Sequence, residues 1–139
     1  MRVKNAMHKP VKCVELETPI KEVAKRMRTA DIGAVPVQHD GALVGIITDR
    51  DIACRAIGNG ADLDTLHARD IMTTNVTTCA ADDDLLTAVA RMKKKHIRRL
   101  PVVGQDNSVV GILSLGDISH KVGSDISGQV LRSVSAHHA

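Results

Sequence analysis

The sequence predicts a mixed α+β fold built from two copies of a βαββα-like half-domain related by a pseudo-twofold axis. Three observations predict it. The chain repeats itself: Ala6 to Ala56 matches Ile71 to Val122, with Met7 answering Met72, Met27 answering Met92 and Pro36 answering Pro101. After a one-residue insertion in the second copy, Gly45 answers Gly111 and Asp51 answers Asp117. Each copy carries one apolar stripe of helical period followed by two β-prone runs. A duplicated unit of this length predicts two half-domains facing each other across that axis, and paired clefts between such halves are natural ligand sites.

Each copy opens with a short extended stretch, Val11 to Val14 and Val76 to Cys79. A helix follows. In the first copy Thr18 is the candidate N-cap and Pro19 the first helical residue, where its missing N–H costs nothing. Ile20, Val23, Ala24 and Met27 then recur at helical spacing. In the second copy Asp82, Asp83 and Asp84 favour a helix start through the dipole, and Leu85, Ala88, Val89 and Met92 repeat the stripe in the same phase. Ala34 to Val37 pairs with Leu43 to Ile47, and Arg99 to Val103 with Val109 to Leu113. The intervening His39-Asp40-Gly41 and Gly104 to Ser108 are hairpin turns. Helices run from Asp49 to about Ile57 and from Leu115 to about Val122. Residues 58–65 link the copies, which sets domain boundaries at 1–65 and 66–139. Asp125 to Ser135 forms a last amphipathic helix with Ile126, Val130, Leu131 and Val134 on one face.

Composition narrows the function. Phe, Tyr and Trp are all absent, so the core is aliphatic and the aromatic stacking platform of single-stranded nucleic-acid binders is missing. A net charge of +3 gives no case for DNA. No apolar run approaches the roughly 20 residues that span a bilayer, and the N-terminus lacks a signal-peptide core. A cytoplasmic protein with no membrane or nucleic-acid partner is expected. Cys13, Cys54 and Cys79 fit neither a disulfide framework nor a metal site and read as small buried hydrophobes. His8, His39, His67, His96 and His120 show no ligand spacing, so no metal is expected; His137-His138 reads as tail or tag remnant. No nucleophile elbow, P-loop or Ser/His/Asp logic is present, so no enzyme is expected.

The chemistry concentrates in one repeated segment. Gly45 to Asp51 and Gly111 to Asp117 each bring a hydroxyl, Thr48 or Ser114, to the end of a strand, with a carboxylate three residues later. One reading is a capping box, in which hydroxyl and acid serve the helix alone. The other is a ligand site: free N–H groups and the hydroxyl meet a phosphate, and the acid accepts from a ribose.

The order of elements, the strand containing Pro-Val, the Gly-h-h-Thr/Ser-x-x-Asp segment (h, hydrophobic) and the repeat length resemble tandem cystathionine-β-synthase (CBS) domains, the pair known as a Bateman module. The likeness runs from about Ala6 to Val122 and is to the stand-alone bacterial signal-transduction type. It implies an α/β-type CBS-pair fold, a regulatory role without catalysis, and an adenosine-containing ligand between the halves. AMP, ADP or ATP is the expected class, with S-adenosylmethionine or NAD as further members; no catalytic cofactor is implied. By that resemblance Thr48, Arg50 and Asp51 face Ile97, Arg98, Arg99 and Pro101, with Thr77 or Thr78 nearby; Asp51 would hold ribose, and Thr48 and the arginines phosphate. Ser114 and Asp117 face Ile32, Gly33, Ala34 and Pro36 with the Lys12–Cys13 strand. Gly116 stands where Arg50 stood and Gly33-Ala34 where Arg98-Arg99 stood, so the Thr48/Asp51 site is expected to be tighter for charged nucleotides. Lys93 to Lys95 read as a solvated helix end. A homodimer is implied, with Ile52 and Ile118 as candidate contacts, together with an unknown regulated partner. The alternative is a ligand-independent dimerisation scaffold with vestigial sites.

Overall fold

The computed structural model describes residues 1–136, so His137-His138 lies outside the described residues. The chain forms two compact units, Lys12–Val76 and Met1–Val11 with the chain from Thr77 onward. Each is mixed α+β around one three-stranded sheet.

In the unit Lys12–Val76, β1 (Val14–Glu15) leads through α1 (Ile20–Ala30) to β2 (Ala34–His39) and β3 (Ala42–Thr48). The sheet order is β1-β2-β3; β1 runs parallel to β2, and β2 antiparallel to β3. The β2–β3 turn is Asp40-Gly41, both at positive φ (51° and 80°), the pairing that matches the twist of a hairpin. The expected cap on α1 is different: Pro19 occupies the N-cap position, and the Thr18 hydroxyl accepts from the Glu15 N–H at 3.0 Å. The Ile20 N–H donates instead to the Leu66 carbonyl. Ile20, Val23 and Met27 are buried as the periodicity required. After β3 come α2 (Asp49–Asp51), a π-helical stretch Ile52–Ile57, and α3 (Ala68–Ile71).

The other unit repeats the plan. A short 3-10 turn, Val3–Asn5, precedes it in sequence. Then follow β4 (Cys79–Ala80), α4 (Leu85–Lys95), β5 (Arg99–Val103), β6 (Val109–Ser114) and α5 (Leu115–Ser119), with sheet order β4-β5-β6. Here the acidic run does cap: the Asp84 carboxylate accepts from the Leu86 N–H at 2.8 Å. A last helix, α6 (Ser124–Ala136), lies against α4 and α5. Val130 and Val134 are buried and Ile126 is half-buried against the same core, but Leu131, 52% exposed, points to water. It stands one residue past Val130, off the stripe that Ile126, Val130 and Val134 make at four-residue spacing.

Pro36 and Pro101 are buried in central strands, where proline normally costs a ladder bond. Each stands one residue before the pairing with the short edge strand begins, at Val37 and Val102 respectively. The missing N–H therefore faces no β1 or β4 partner.

The leading segment of each copy adds backbone to the third strand. Ile46 and Thr73 exchange hydrogen bonds of 3.0 and 2.9 Å, and His8 and Ile112 do so at 2.8 and 3.0 Å. Met1–Val11 thereby completes the unit of the second repeat, and 66–76 that of the first. The repeat boundary expected at 65/66 is a division of sequence; contact divides the chain otherwise.

Cys79 is buried as expected, but Cys13 and Cys54 depart from expectation. Cys13 is half-buried and Cys54 exposed on the π-helical stretch, whose buried member is Ala56. Ile118 is fully buried in the core, which removes it as an exposed dimer contact; Ile52 is half-buried against the core of its own unit.

Candidate functional site

β3 ends at Thr48 and β6 at Ser114, and both ends carry the same closed motif. The Thr48 N–H donates to Asp51 Oδ2 at 2.9 Å, and the Asp51 N–H donates to Thr48 Oγ1 at 3.1 Å. At the second turn, the Ser114 N–H donates to Asp117 Oδ2 at 2.9 Å and the Asp117 N–H to Ser114 Oγ at 3.0 Å. Both are reciprocal capping boxes. One carboxylate oxygen of each acid is thus committed to backbone, leaving Oδ1 as the second acceptor. Asp51 Oδ1 lies 3.7 Å from Arg55 Nε.

The residues before the Pro-Val strand lie beside the turn of their own repeat. The Asp49 N–H donates to the Gly33 carbonyl at 2.9 Å, and Ala34 is the ladder partner of Thr48. The Leu115 N–H donates to the Arg98 carbonyl at 2.9 Å, and Arg99 is the ladder partner of Ser114. One unit therefore gathers Gly33, Ala34, Thr48, Arg50 and Asp51. The other gathers Arg98, Arg99, Ser114 and Asp117. Ile32 is exposed and Ile97 half-buried, each one residue from its group. Lys12, two residues before β1, stands at the sheet end where β2 begins and β3 finishes; Thr77 has the same relation to β4.

The cations are exposed. Arg50 follows Asp49, and Arg98 and Arg99 precede the buried Leu100. None of these three guanidinium groups has a carboxylate within 4 Å among the described residues, so each is free to meet an anion. Burial, with the Glu15 charge behind it, pushes the thiol of Cys13 up. Among the described residues no group of three His, Cys, Asp or Glu is placed to hold a metal ion. No helix among them is long and apolar enough to cross a membrane.

One residue went unread in the sequence. Arg55 on the π-helical stretch reaches Asp51 on one side and the carbonyls of Ile71 and Met72 on the other, at 3.3 and 3.4 Å. The signal was its four-residue spacing from Asp51, a spacing that brings helix-surface partners together.

The family model for the CBS domain matches residues 3–57 and again 68–124. The chain belongs to the CBS domain family. Each of its two CBS domains carries the hydroxyl–acid turn at the end of its third strand. CBS domain-containing protein YhcV of Bacillus subtilis is 36% identical over 134 residues, 96% of this chain and 94% of that protein. The CBS domain pair of protein MJ0100, solved in complex with 5′-methylthioadenosine and S-adenosyl-L-methionine, is 34% identical with a TM-score of 0.80, covering 88% of this chain and 100% of that one. Hypoxic response protein I, whose crystal structure holds two coordinated zinc ions, is 28% identical with a TM-score of 0.80, over 88% of this chain and 100% of that one. Some relatives are much longer: the match spans 24% of the homoserine O-acetyltransferase of Methanosphaera stadtmanae.

Proposed function

We propose that this CBS pair is a cytoplasmic regulatory module that binds an adenosine-containing ligand at its hydroxyl–acid turns and passes occupancy to a partner protein or to a homodimer interface. The observation that carries the reading is the duplicated turn itself, Thr48/Asp51 and Ser114/Asp117, in a chain 34% identical to a pair that holds two adenosine compounds. Capping and ligand binding are compatible, since the cap uses Oδ2 and leaves Oδ1 to accept from ribose hydroxyls. Adenine would rest on aliphatic side chains and backbone, because the chain has no aromatic residue. Arg50, Arg98 and Arg99 supply charge for phosphate, which favours AMP, ADP or ATP; S-adenosylmethionine and NAD belong to the same class. In this reading Lys12, Ile32, Gly33, Ala34, Pro36, Thr77, Ile97 and Pro101 line the ligand, and catalysis has no part.

A thermal-shift panel of these ligands, followed by circular dichroism, tests it. Ligand at a hundredfold its dissociation constant raises stability by about 2.7 kcal/mol. If no member moves the midpoint, the second reading stands: a ligand-independent scaffold. That reading draws support from both turns closing as reciprocal capping boxes, in which hydroxyl and acid each serve the backbone of the other.

A further inference from the structure

Arg55 joins the acid of one turn to the segment that follows the first repeat. Its Nε lies 3.7 Å from Asp51 Oδ1, and its Nη1 donates to the Ile71 and Met72 carbonyls at 3.3 and 3.4 Å. Arginine presents several donors in a fixed fork, so one planar group spans an acid and two carbonyls where lysine offers a point charge. The held segment is not inert: Thr73 donates to Ile46 on β3 at 2.9 Å, and the chain runs from there through Val76 into the second unit. The equivalent of Arg55 in the other unit is Lys121, whose side chain has no hydrogen bond or ion pair among the described residues. The two turns are alike in their caps and unlike in this connection.

We infer that Arg55 is a positioning residue that couples occupancy of the Thr48/Asp51 turn to the segment Ile71–Val76, and that the Ser114/Asp117 turn has no such lever. The inference rests on the adenosine reading. A ligand hydroxyl that donates to Asp51 Oδ1 competes with the guanidinium for that oxygen. Arg55 then shifts its hold on the Ile71 and Met72 carbonyls, and the edge pairing of Thr73 with Ile46 changes its opening equilibrium. Because the guanidinium is half exposed and stands 3.7 Å from the acid, the pair's worth to stability is small; its consequence lies in what the guanidinium connects. A ligand that met both arrangements equally would move nothing.

Amide hydrogen exchange at Thr73 reads the coupling directly. Calorimetry first identifies the tightest binder among AMP, ATP, S-adenosylmethionine and 5′-methylthioadenosine. Saturating wild-type protein with it should change Thr73 exchange by roughly threefold or more. Arg55→Gln should keep affinity to within about fivefold, the scale of an exposed ion pair, and lose the change at Thr73. Lys121→Gln should keep both. Arg55→Lys, which retains the charge but not the fork, should also lose the change, and it serves where the glutamine variant folds poorly. Binding without a change at Thr73 in wild type overturns the inference and leaves the adenosine reading intact. So does a change that survives in Arg55→Gln. An absence of heat with all four compounds overturns the reading and the inference together.

Discussion

The thioether of Met72 lies across the face of Gly45, so close that a Cβ built on the glycine would stand 2.5 Å from Sδ. Met7 repeats the arrangement on Gly111 at 2.6 Å. Each methionine belongs to a leading segment, and each glycine to the third strand on which that segment lies. The sequence repeat displays both residues but not their contact, which pairs a methionine with the strand of the other copy. Gly45→Ala and Gly111→Ala should both destabilise by overpacking, on the order of 1–3 kcal/mol. Gly45→Ala should cost more, because its Cβ also meets the Thr73 carbonyl at 3.0 Å, whereas at Gly111 the nearest backbone atom is 3.4 Å away and the side chain can move. Urea unfolding followed by circular dichroism measures both; equal losses would contradict the backbone argument.

The two roles of Thr48 separate by measuring free and ligated protein. As a cap, Thr48→Ala should lower the stability of the free chain by about 0.5–2 kcal/mol. Ser114→Ala should do the same, since the geometry is shared. The part of the loss that belongs to binding appears only in the ligand-induced shift. An unchanged midpoint for the free Thr48→Ala protein would mean the box contributes nothing.

Asp51→Ala should weaken adenosine-nucleotide binding more than Asp117→Ala does. A hydrogen bond to an ionised acceptor contributes about 1.5–3 kcal/mol, or roughly 10- to 150-fold in affinity. Calorimetric titration of both variants with AMP and with ATP is the measurement. Arg98 and Arg99 sit beside Ser114 in their own unit, so a reversed order that grows from AMP to ATP would assign those cations to the Ser114/Asp117 turn.

Much of this was legible because the physics is local. Helical periodicity in Ile20, Val23 and Met27, the Asp40-Gly41 turn and the Thr48-to-Asp51 spacing all depend on neighbours within a few residues. What was hidden depends on distant chain. Thr18 lost its capping role because Glu15 took its hydroxyl and Leu66 satisfied the Ile20 N–H. Arg55 acquired its partners at Ile71 and Met72 only when the segment after the linker folded back. Leu131 and Cys54 looked apolar enough to bury, but helix phase turned both outward.

The thiols should react in order of exposure. Cys54 is exposed, Cys13 half-buried and Cys79 buried, so native-state alkylation should label Cys54 first and Cys79 only on unfolding. Burial, with the Asp83 charge adding to it and Arg91 opposing, pushes the Cys79 thiol up to about 11 from its ordinary 9.0. The folded state then holds the proton more tightly than the unfolded chain. The stability tied to that proton is complete below about pH 9 and is lost as pH climbs towards 11, by at most about 2–3 kcal/mol. Cys79→Ala should flatten that part of the pH profile relative to wild type; an identical slope would place the alkaline loss elsewhere.

Cutting the chain by repeat and cutting it by contact should give different results. A fragment spanning 1–65 lacks Ala68 and Ile71, buried members of the core around Ile20, Val35 and Ile47. It also lacks the Leu66 carbonyl that receives the Ile20 N–H and the Thr73 edge on Ile46. Losing Ile71 alone removes a side chain whose truncation costs about 2–5 kcal/mol, a large part of the stability of a domain this small. A fragment spanning 12–76 keeps all of these groups. It should melt cooperatively, whereas 1–65 should show a broad, weak transition by circular dichroism. The same logic applies to the second repeat: 66–139 lacks Val3, fully buried among Leu85, Leu100 and Leu113, and the backbone bonds from Val3 and Lys4 to Asp83 and Ala81. Val3→Ala in the whole chain should then cost about 1–3 kcal/mol, although the residue precedes the first repeat in sequence. A 1–65 fragment as stable and cooperative as 12–76 would show that the leading segments decorate the units rather than complete them.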